Sequence, residues 1–555
     1  MQLVNSRPQV RRFRTLWVLA LVGSVAVSIR AEDVAEEAKV GAAEFKSAGS
    51  AGSAGSADSV AAGEEIFLRE WVASDPRSHG GDGLGPLFND TSCVSCHNQG
   101  GAGGGGSGGK NVQLITAFRT NKQNTHNDDF NIVRSLAGAI FGGKVASKIK
   151  STKESKDEKK QTKEEVIQAE RERLAKKHPG FRNARSAVLH RFSTEPEYTS
   201  WRSKFTGFAQ FGMGFGFGGG TQDGVSLTSK QSAEMSILQT EVQIGNSAFF
   251  GPQSNDEFTF LKSERNATAL FGTGLIDNLS DETLIQAAAR KHKGFPEVTG
   301  RVARLKDGRI GRFGWKAQEA SLHDFVLTAC SVELGLHVPG RTQKGSPNRP
   351  DYTPPGLDLN SSQCEQLTSY VGSLPAPVAT RPATEAHEEL ISSGASHFAK
   401  VGCATCHTEN LGEATGLYSD LLLHNMGPQL GDSGSYGGVA PDKSDDEELQ
   451  ERIPLLTQNH NFVPFGSSGK VEEHKDVIGA TRQEWRTPPL WGVRDSAPYL
   501  HDGRARTIEH AIALHGGESS RSARLYFSLK PEERQAVLTF LRSLTAPTQR
   551  VALRK

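Results

Sequence analysis

Apolar residues return at helical spacing along several stretches, separated by segments rich in glycine, proline and charge. The first is GEEIFLREWV from Gly63, where Ile66, Phe67 and Trp71 share one face. Inside the charged run Lys144 to Lys177, QTKEEVIQAERERLAKK has no sustained apolar stripe and predicts a solvated helix. Ser280-Asp281-Glu282-Thr283 reads as a helix start, its acidic side chains complementing the partial positive charge of a helix N-terminus. An amphipathic helix is expected from about Gln318, and another in GLDLNSSQCEQLTSYVGSLPAP, stopped by Pro375 and Pro377. ATEAHEELISSGASHFAKVG, a short helix opened by Thr507-Ile508-Glu509 and reaching His515, and the closing KPEERQAVLTFLRSL complete the set. The pattern predicts a mainly α fold.

The segments between these helices divide the chain. Basic Arg11, Arg12 and Arg14 precede an apolar stretch from Leu16 to Ile29, the layout of an export signal over 1–31. An uncleaved anchor is the alternative, and membrane contact is expected only through it. Residues 32–62 form an Ala, Gly and Ser leader that includes GSAGSAGSAD. The proline pair after the Ser361 region marks a boundary between a domain over 63–377 and one over 378–555. The first of these carries an irregular and helical insertion at about 100–260, with GGAGGGGSGGK at its start and FTGFAQFGMGFGFGGG within it. Over 555 residues, 36% hydrophobic and 23% charged content predicts a globular body. A formal charge of +1 gives no reason to expect nucleic acid or an anionic membrane as partner.

Six cysteines are present, and four of them fall in Cys93-Val94-Ser95-Cys96-His97 and Cys403-Ala404-Thr405-Cys406-His407. Both read C-x-x-C-H, the attachment signature of c-type haem. Two thiols at that spacing add to the two vinyl groups of one haem, and the adjoining His97 or His407 supplies an axial nitrogen to its iron. Zinc is the alternative, since C-x-x-C is also half of a zinc site. The reading is two covalent haems, each in a cytochrome c-like domain. Cys330 and Cys364 remain, either as a disulfide of an oxidising compartment or as buried thiols. His126, His190 and Met213 are further candidate iron ligands.

The second domain carries TPPLWGVR, APYLHDGRARTIEHAI and LHGGE beside its haem motif, and the first carries GLGPLFNDTSCVSCH, RNATALFGTGLID and RFGWKAQEASL. With these the chain resembles the di-haem cytochrome c peroxidase superfamily, and most of all its large di-haem oxidoreductases, which include members labelled thiol oxidoreductases. The likeness covers roughly 63–97 and 265–544.

The resemblance implies peroxide chemistry at the His97 haem and electron storage and relay at the His407 haem. It implies Glu333 as the distal acid above the first haem and Trp315 as a relay between the two. The family's distal Gln falls at Phe325, a departure. His515 stands where the family places the sixth ligand of the second haem, with Met426 as the alternative. His501 is implied to orient its turn or a propionate, and Arg504 and Arg506 to neutralise propionates. Asn266 and the carbonyl region of Thr487 match a calcium site between the domains. A small electron-donor protein, a cytochrome or a cupredoxin, and hydrogen peroxide are the implied partners of an exported, periplasmic enzyme. An electron carrier without substrate chemistry and a peroxide-dependent oxidase of another substrate are the competing expectations.

Overall fold

Two crossed helix pairs, one in each half of the chain, frame the molecule. A computed structural model describes residues 56–119, 163–182, 184–206, 225–243, 249–250, 258–342, 345–377, 384–432, 434–436 and 479–547. The export signal, almost all of the leader, His126 and Met213 lie outside them. In the first half, helix Ala57–Leu68 crosses helix Ser361–Ser373. In the second, helix Glu385–Lys400 crosses helix Pro531–Ser543. The two crossings are built alike. A Cβ at Gly63 would lie 2.0 Å from the Gln366 carbonyl oxygen, and one at Gly394 would lie 2.0 Å from that of Ala536. Only glycine permits backbones to approach so closely. Four residues on, one helical turn away, an aromatic pair seals each crossing: Phe67 with Tyr370, ring centres 5.2 Å apart, and Phe398 with Phe540, 5.3 Å apart.

The helix starts follow the side-chain chemistry expected of them. Ser280, Ser321, Thr384 and Thr507 accept backbone N–H groups from the first turns of their helices, and Asn360 forms a reciprocal capping box with Gln363. The helix expected from about Gln318 starts at Leu322 and ends at Glu333. Its buried Leu322, Val326, Leu327 and Cys330 join the first core with Ile66, Phe67, Trp71, Leu367 and Val371. Leu411, Leu417, Leu421, Leu422 and Trp491 from the second half are buried in that same core. Phe398, Tyr526, Phe527, Val537 and Leu541 build the second. Among the described residues no helix is long and apolar enough to cross a membrane.

The insertion differs from its expected irregular and helical character. Val112–Arg119 and Phe258–Arg265 pair antiparallel, with Val112 opposite Arg265, and Ser186–Val188 and Phe249–Phe250 flank them in a four-stranded sheet. Helix Lys163–Ala175 packs its last turn on this sheet rather than standing free. Leu174 is buried with Ile115, Phe181, Leu189 and Phe258, and the buried Glu170 pairs with Arg185 at 3.6 Å. The sheet was hidden because its two long strands are far apart in sequence, and strand preference depends on the neighbours a strand acquires.

The sheet delivers the chain to the functional region. One long strand begins just after Lys110, which is ion-paired with Asp90 beside the first haem motif. The other ends at Arg265 and hands over to Asn266–Leu270.

Candidate functional site

Each C-x-x-C-H motif opens onto its own cavity. Cys93, Cys96 and His97 line the first, together with Glu333, Trp315, Phe325, Tyr436, Arg482 and the Arg265–Asp432 ion pair. Cys403, Cys406 and His407 line the second, together with His515, Met426, His424, Trp485 and Arg486. Asn266, Ala267, Thr268, Leu270, Gly314, Trp315 and Phe325 line both, so this segment is the wall between them.

The first motif is a single turn, Cys93–Cys96, and the second a 3-10 turn at Cys403–Thr405 entered through Gly402 at φ +90°. A side chain there would meet Phe295 at 2.3 Å and a strained backbone. The short turns bring both sulfurs and the following histidine to one side.

His97 Nδ1 lies 3.2 Å from the Gly104 carbonyl oxygen, and His407 Nδ1 lies 2.9 Å from that of Tyr418. A carbonyl only accepts, so each Nδ1 carries the proton and each Nε2 keeps its lone pair for a metal. Burial lowers the pKa of both histidines, His407 to about 4. Burial also pushes the Cys93, Cys96 and Cys403 thiols up to about 12, and Asp90, with its carboxylate 3.6 Å from the Cys96 sulfur, adds to the effect. Each motif sets two sulfurs beside one histidine whose Nδ1 is committed to a carbonyl, and C-x-x-C with an adjoining His is the donor set of a covalent haem. The donor set therefore fits two c-type haems, held by Cys93, Cys96 and His97 and by Cys403, Cys406 and His407.

Glu333 closes helix Leu322–Glu333 and points into the first cavity. Asn89 Nδ2 donates to one carboxyl oxygen at 2.7 Å and the Tyr436 hydroxyl to the other at 2.5 Å. Burial raises the Glu333 pKa, and the Tyr436 and Asn89 hydrogen bonds pull against it. Phe325 stacks on Phe313, ring centres 5.8 Å apart, and offers no hydrogen bond at this wall. Trp315 Nε1 donates to the Asn266 carbonyl at 2.8 Å, which fixes the indole in the partition.

On the second side, His515 Nδ1 donates to the Ala511 carbonyl at 2.7 Å, leaving Nε2 available, and its proximity further lowers the His407 pKa. Met426 also lines this cavity, but its sulfur accepts the Ser519 hydroxyl at 3.8 Å. The His501 ring stacks on Trp485 at 3.6 Å, and its carbonyl accepts the Asn266 N–H.

The remaining residues singled out in the sequence are placed as follows. Arg504 is paired with Asp502 at 2.5 Å and donates to Gln429, and Arg506 is exposed; neither lines the second cavity. The guanidinium groups that line it belong to the buried Arg312 and Arg486, and Arg486 donates to the Gly314 carbonyl. His190 is held through Nε2 to the Val332 carbonyl at 2.8 Å and lines neither cavity. Cys330 and Cys364 are free and buried. Asn266 gives both amide hydrogens to Gly106 and Asn111, while the Thr487 carbonyl accepts the Ser419 hydroxyl at 2.7 Å. The Asn266 side-chain oxygen would be one donor among the six to eight oxygens that calcium takes.

Tyr436, Asn89, Trp485 and the buried His424, held between Asp420 at 2.9 Å and Glu518 at 2.8 Å, went unassigned in the sequence. Tyr436 sits in the Gly- and Ser-rich SGSYGG, where its one signal is a large aromatic without a periodic partner. Among the described residues, Cys406, Asp420 and His424 are the grouping of three or more His, Cys, Asp or Glu side chains at metal-ligand spacing, and Cys406 belongs to the haem motif.

Residues 466–544 match the family described as "Di-haem oxidoreductase, putative peroxidase". The chain is 27% identical over 161 residues to methylamine utilization protein MauG of Methylorubrum extorquens, covering 28% of this chain and 34% of that protein. It is 26% identical over 156 residues to cytochrome-c peroxidase IdrP2 of Pseudomonas sp. strain SCT, covering 26% and 36%. It is 29% identical over 146 residues to hydrazine synthase subunit gamma of Kuenenia stuttgartiensis, covering 26% and 37%. The matches span about a third of the length of these curated relatives. Solved structures of Kuenenia stuttgartiensis hydrazine synthase and of a MauG-like protein associated with microbial copper homeostasis align at TM-scores of 0.25 and 0.24. The first is 18% identical and covers 48% of this chain and 88% of that one; the second is 15% identical and covers 49% and 90%. The matched family and these relatives support a di-haem, peroxidase-like oxidoreductase family for the region they cover.

Proposed function

We propose that this chain is an exported, periplasmic di-haem c-type oxidoreductase that reduces hydrogen peroxide at the first cavity with electrons entering at the second. The observation that supports it most is Glu333, a buried carboxyl held by two donors in the cavity that His97 lines. Haem held by Cys93, Cys96 and His97 and by Cys403, Cys406 and His407 would supply redox-active iron to the two cavities.

The chain's own groups handle the proton and set the electron path. Reduction of peroxide to two waters takes up two electrons and two protons. The proton on one oxygen has to be moved to the other, which leaves as water. A carboxyl whose pKa is raised by burial exchanges a proton more readily near neutral pH than an exposed one. Phe325 cannot assist, so this task falls to Glu333. Trp315, lining both cavities, offers an aromatic bridge between them. His407 and His515, each with Nδ1 committed to a carbonyl, present two imidazole nitrogens to the second cavity and support a closed, electron-storing site there. A small cytochrome or cupredoxin is the electron donor in this reading. Calcium at Asn266 and Thr487 would have to complete its shell with further carbonyls and water.

In haem-loaded protein supplied with a reduced donor cytochrome, Glu333→Gln should lower peroxide turnover roughly 100-fold, the low end of general acid–base contributions, with haem content unchanged. A loss smaller than about threefold would sink the role of Glu333. Wild-type protein that exchanges electrons yet leaves peroxide untouched would favour the electron-carrier reading. Turnover only with a second organic substrate would favour a peroxide-dependent oxidase.

A further inference from the structure

The distal side of the first cavity is assembled from both halves of the chain. Glu333 and Asn89 come from the first half and Tyr436 from the second. Tyr436 follows residues that the structure anchors at several points. Arg265 binds the Asp432 carboxylate at 2.6 Å and donates to the Gly434 carbonyl at 2.6 Å. The Ser435 N–H donates to the Ser186 hydroxyl of the sheet at 3.0 Å. The phenol is thereby set against Glu333 with its hydroxyl 2.5 Å from a carboxyl oxygen.

We propose that Tyr436 is a positioning residue for the peroxide chemistry: its hydroxyl fixes the rotamer of Glu333 and stabilises the carboxylate form, so that the acid stays proton-accepting at neutral pH. This rests on the reading of Glu333 as the distal acid. Three features carry the inference. The carboxyl has two oxygens, and Asn89 holds one while Tyr436 holds the other, leaving a single orientation. The site is buried, so water cannot replace a lost donor at little cost. Glu333 also ends its helix, where the partial negative charge of the C-terminus disfavours a carboxylate and makes donors more necessary. The other charged and titratable groups facing the pair are Arg191, which favours the carboxylate, and Glu319 and Cys96, which act on the phenol. The Glu333 carboxyl takes its hydrogen bonds from Asn89 and Tyr436.

The sign of the test follows. Removing a donor from the carboxylate raises its pKa, so less of it is ionised at a fixed pH. In haem-loaded Tyr436→Phe, the acidic limb of peroxide turnover should move up by about one pH unit, a tenfold change in ionised fraction. The acidic limb of cyanide binding to the ferric protein, which does not depend on turnover, should move with it. Tyr436→Gln, which keeps an N–H donor, should hold the limb within about 0.3 units of wild type. On a Glu333→Gln background, Tyr436→Phe should cause no further change. An unshifted limb in haem-replete Tyr436→Phe overturns the inference, as does an undiminished effect on the Glu333→Gln background. If Tyr436→Phe takes up no haem, Tyr436→Gln decides: a limb near wild type supports the inference and one displaced by a unit overturns it. Should Glu333→Gln leave turnover and cyanide binding unchanged, the reading of Glu333 fails instead.

Discussion

His190 illustrates how much of this protein's chemistry is decided residue by residue. Its ring is buried, one nitrogen bound to the Val332 carbonyl, and burial lowers its pKa to about 4. The backbone carbonyl of His190 itself accepts the Tyr198 hydroxyl and the Arg202 guanidinium. An unfolded histidine titrates near 6.5. Between that value and about 4 the unfolded chain binds the proton and the folded one does not. Stability is therefore complete above pH 6.5 and falls as the pH drops toward 4. Urea denaturation at pH 7 and pH 4.5 should give a loss in wild type that exceeds the loss in His190→Gln by on the order of 2 kcal/mol. Equal losses would mean that the imidazole is not held neutral.

At the scale of elements, the two crossed helix pairs are the repeated unit. Gly63 with Phe67 and Gly394 with Phe398 are the same device, a glycine at the crossing and an aromatic one turn later, and each precedes a C-x-x-C-H motif. Gly394→Val would place its side chain against the Ala536 carbonyl and force the helices apart. It should destabilise the protein by about 1–3 kcal/mol, the usual cost of overpacking, seen as a lower unfolding midpoint. An unchanged midpoint would contradict the close approach. The G-x-x-x-F spacing was present in GEEIF and GASHF, yet as plain text it does not stand apart from other glycines and phenylalanines in a chain with 60 Gly and 27 Phe. The capped helix starts were legible because a cap is local: the residue that caps lies three positions from the amide it serves. The sheet was not, since pairing Val112 with Arg265 depends on chain closure over a long insertion.

At the scale of the molecule, the wall between the cavities unites the two halves. Asn266 takes its N–H partner from His501 and gives its carbonyl to Trp315, while Arg486 takes a carbonyl partner at Gly314. The partition is thus cross-linked by backbone and side-chain hydrogen bonds from both halves. Trp315→Leu removes the aromatic bridge and leaves the thioether and axial residues in place. Haem content should be retained, while electron exchange between the two haem sites, followed by stopped-flow absorbance after peroxide addition, should slow at least about tenfold, the equivalent of roughly 1.4 kcal/mol in barrier. An unchanged rate would place the path elsewhere in the wall.

By itself the sequence supplied the two C-x-x-C-H motifs and the attachment chemistry they imply. C-x-x-C-H acts within five residues, so His97 and His407 could be named without knowing anything of the fold, and the caps and helices were readable for the same reason. The structure decided what stands opposite those motifs. Trp315 and Glu333 were reachable only through resemblance, and Tyr436 and Asn89 were not assigned at all, because their meeting with Glu333 joins segments that are remote along the chain. A hydrogen bond across such distances leaves no periodicity and no spacing in the sequence. It exists only once the sheet has placed Arg265 and Ser186 to hold the segment that carries Tyr436.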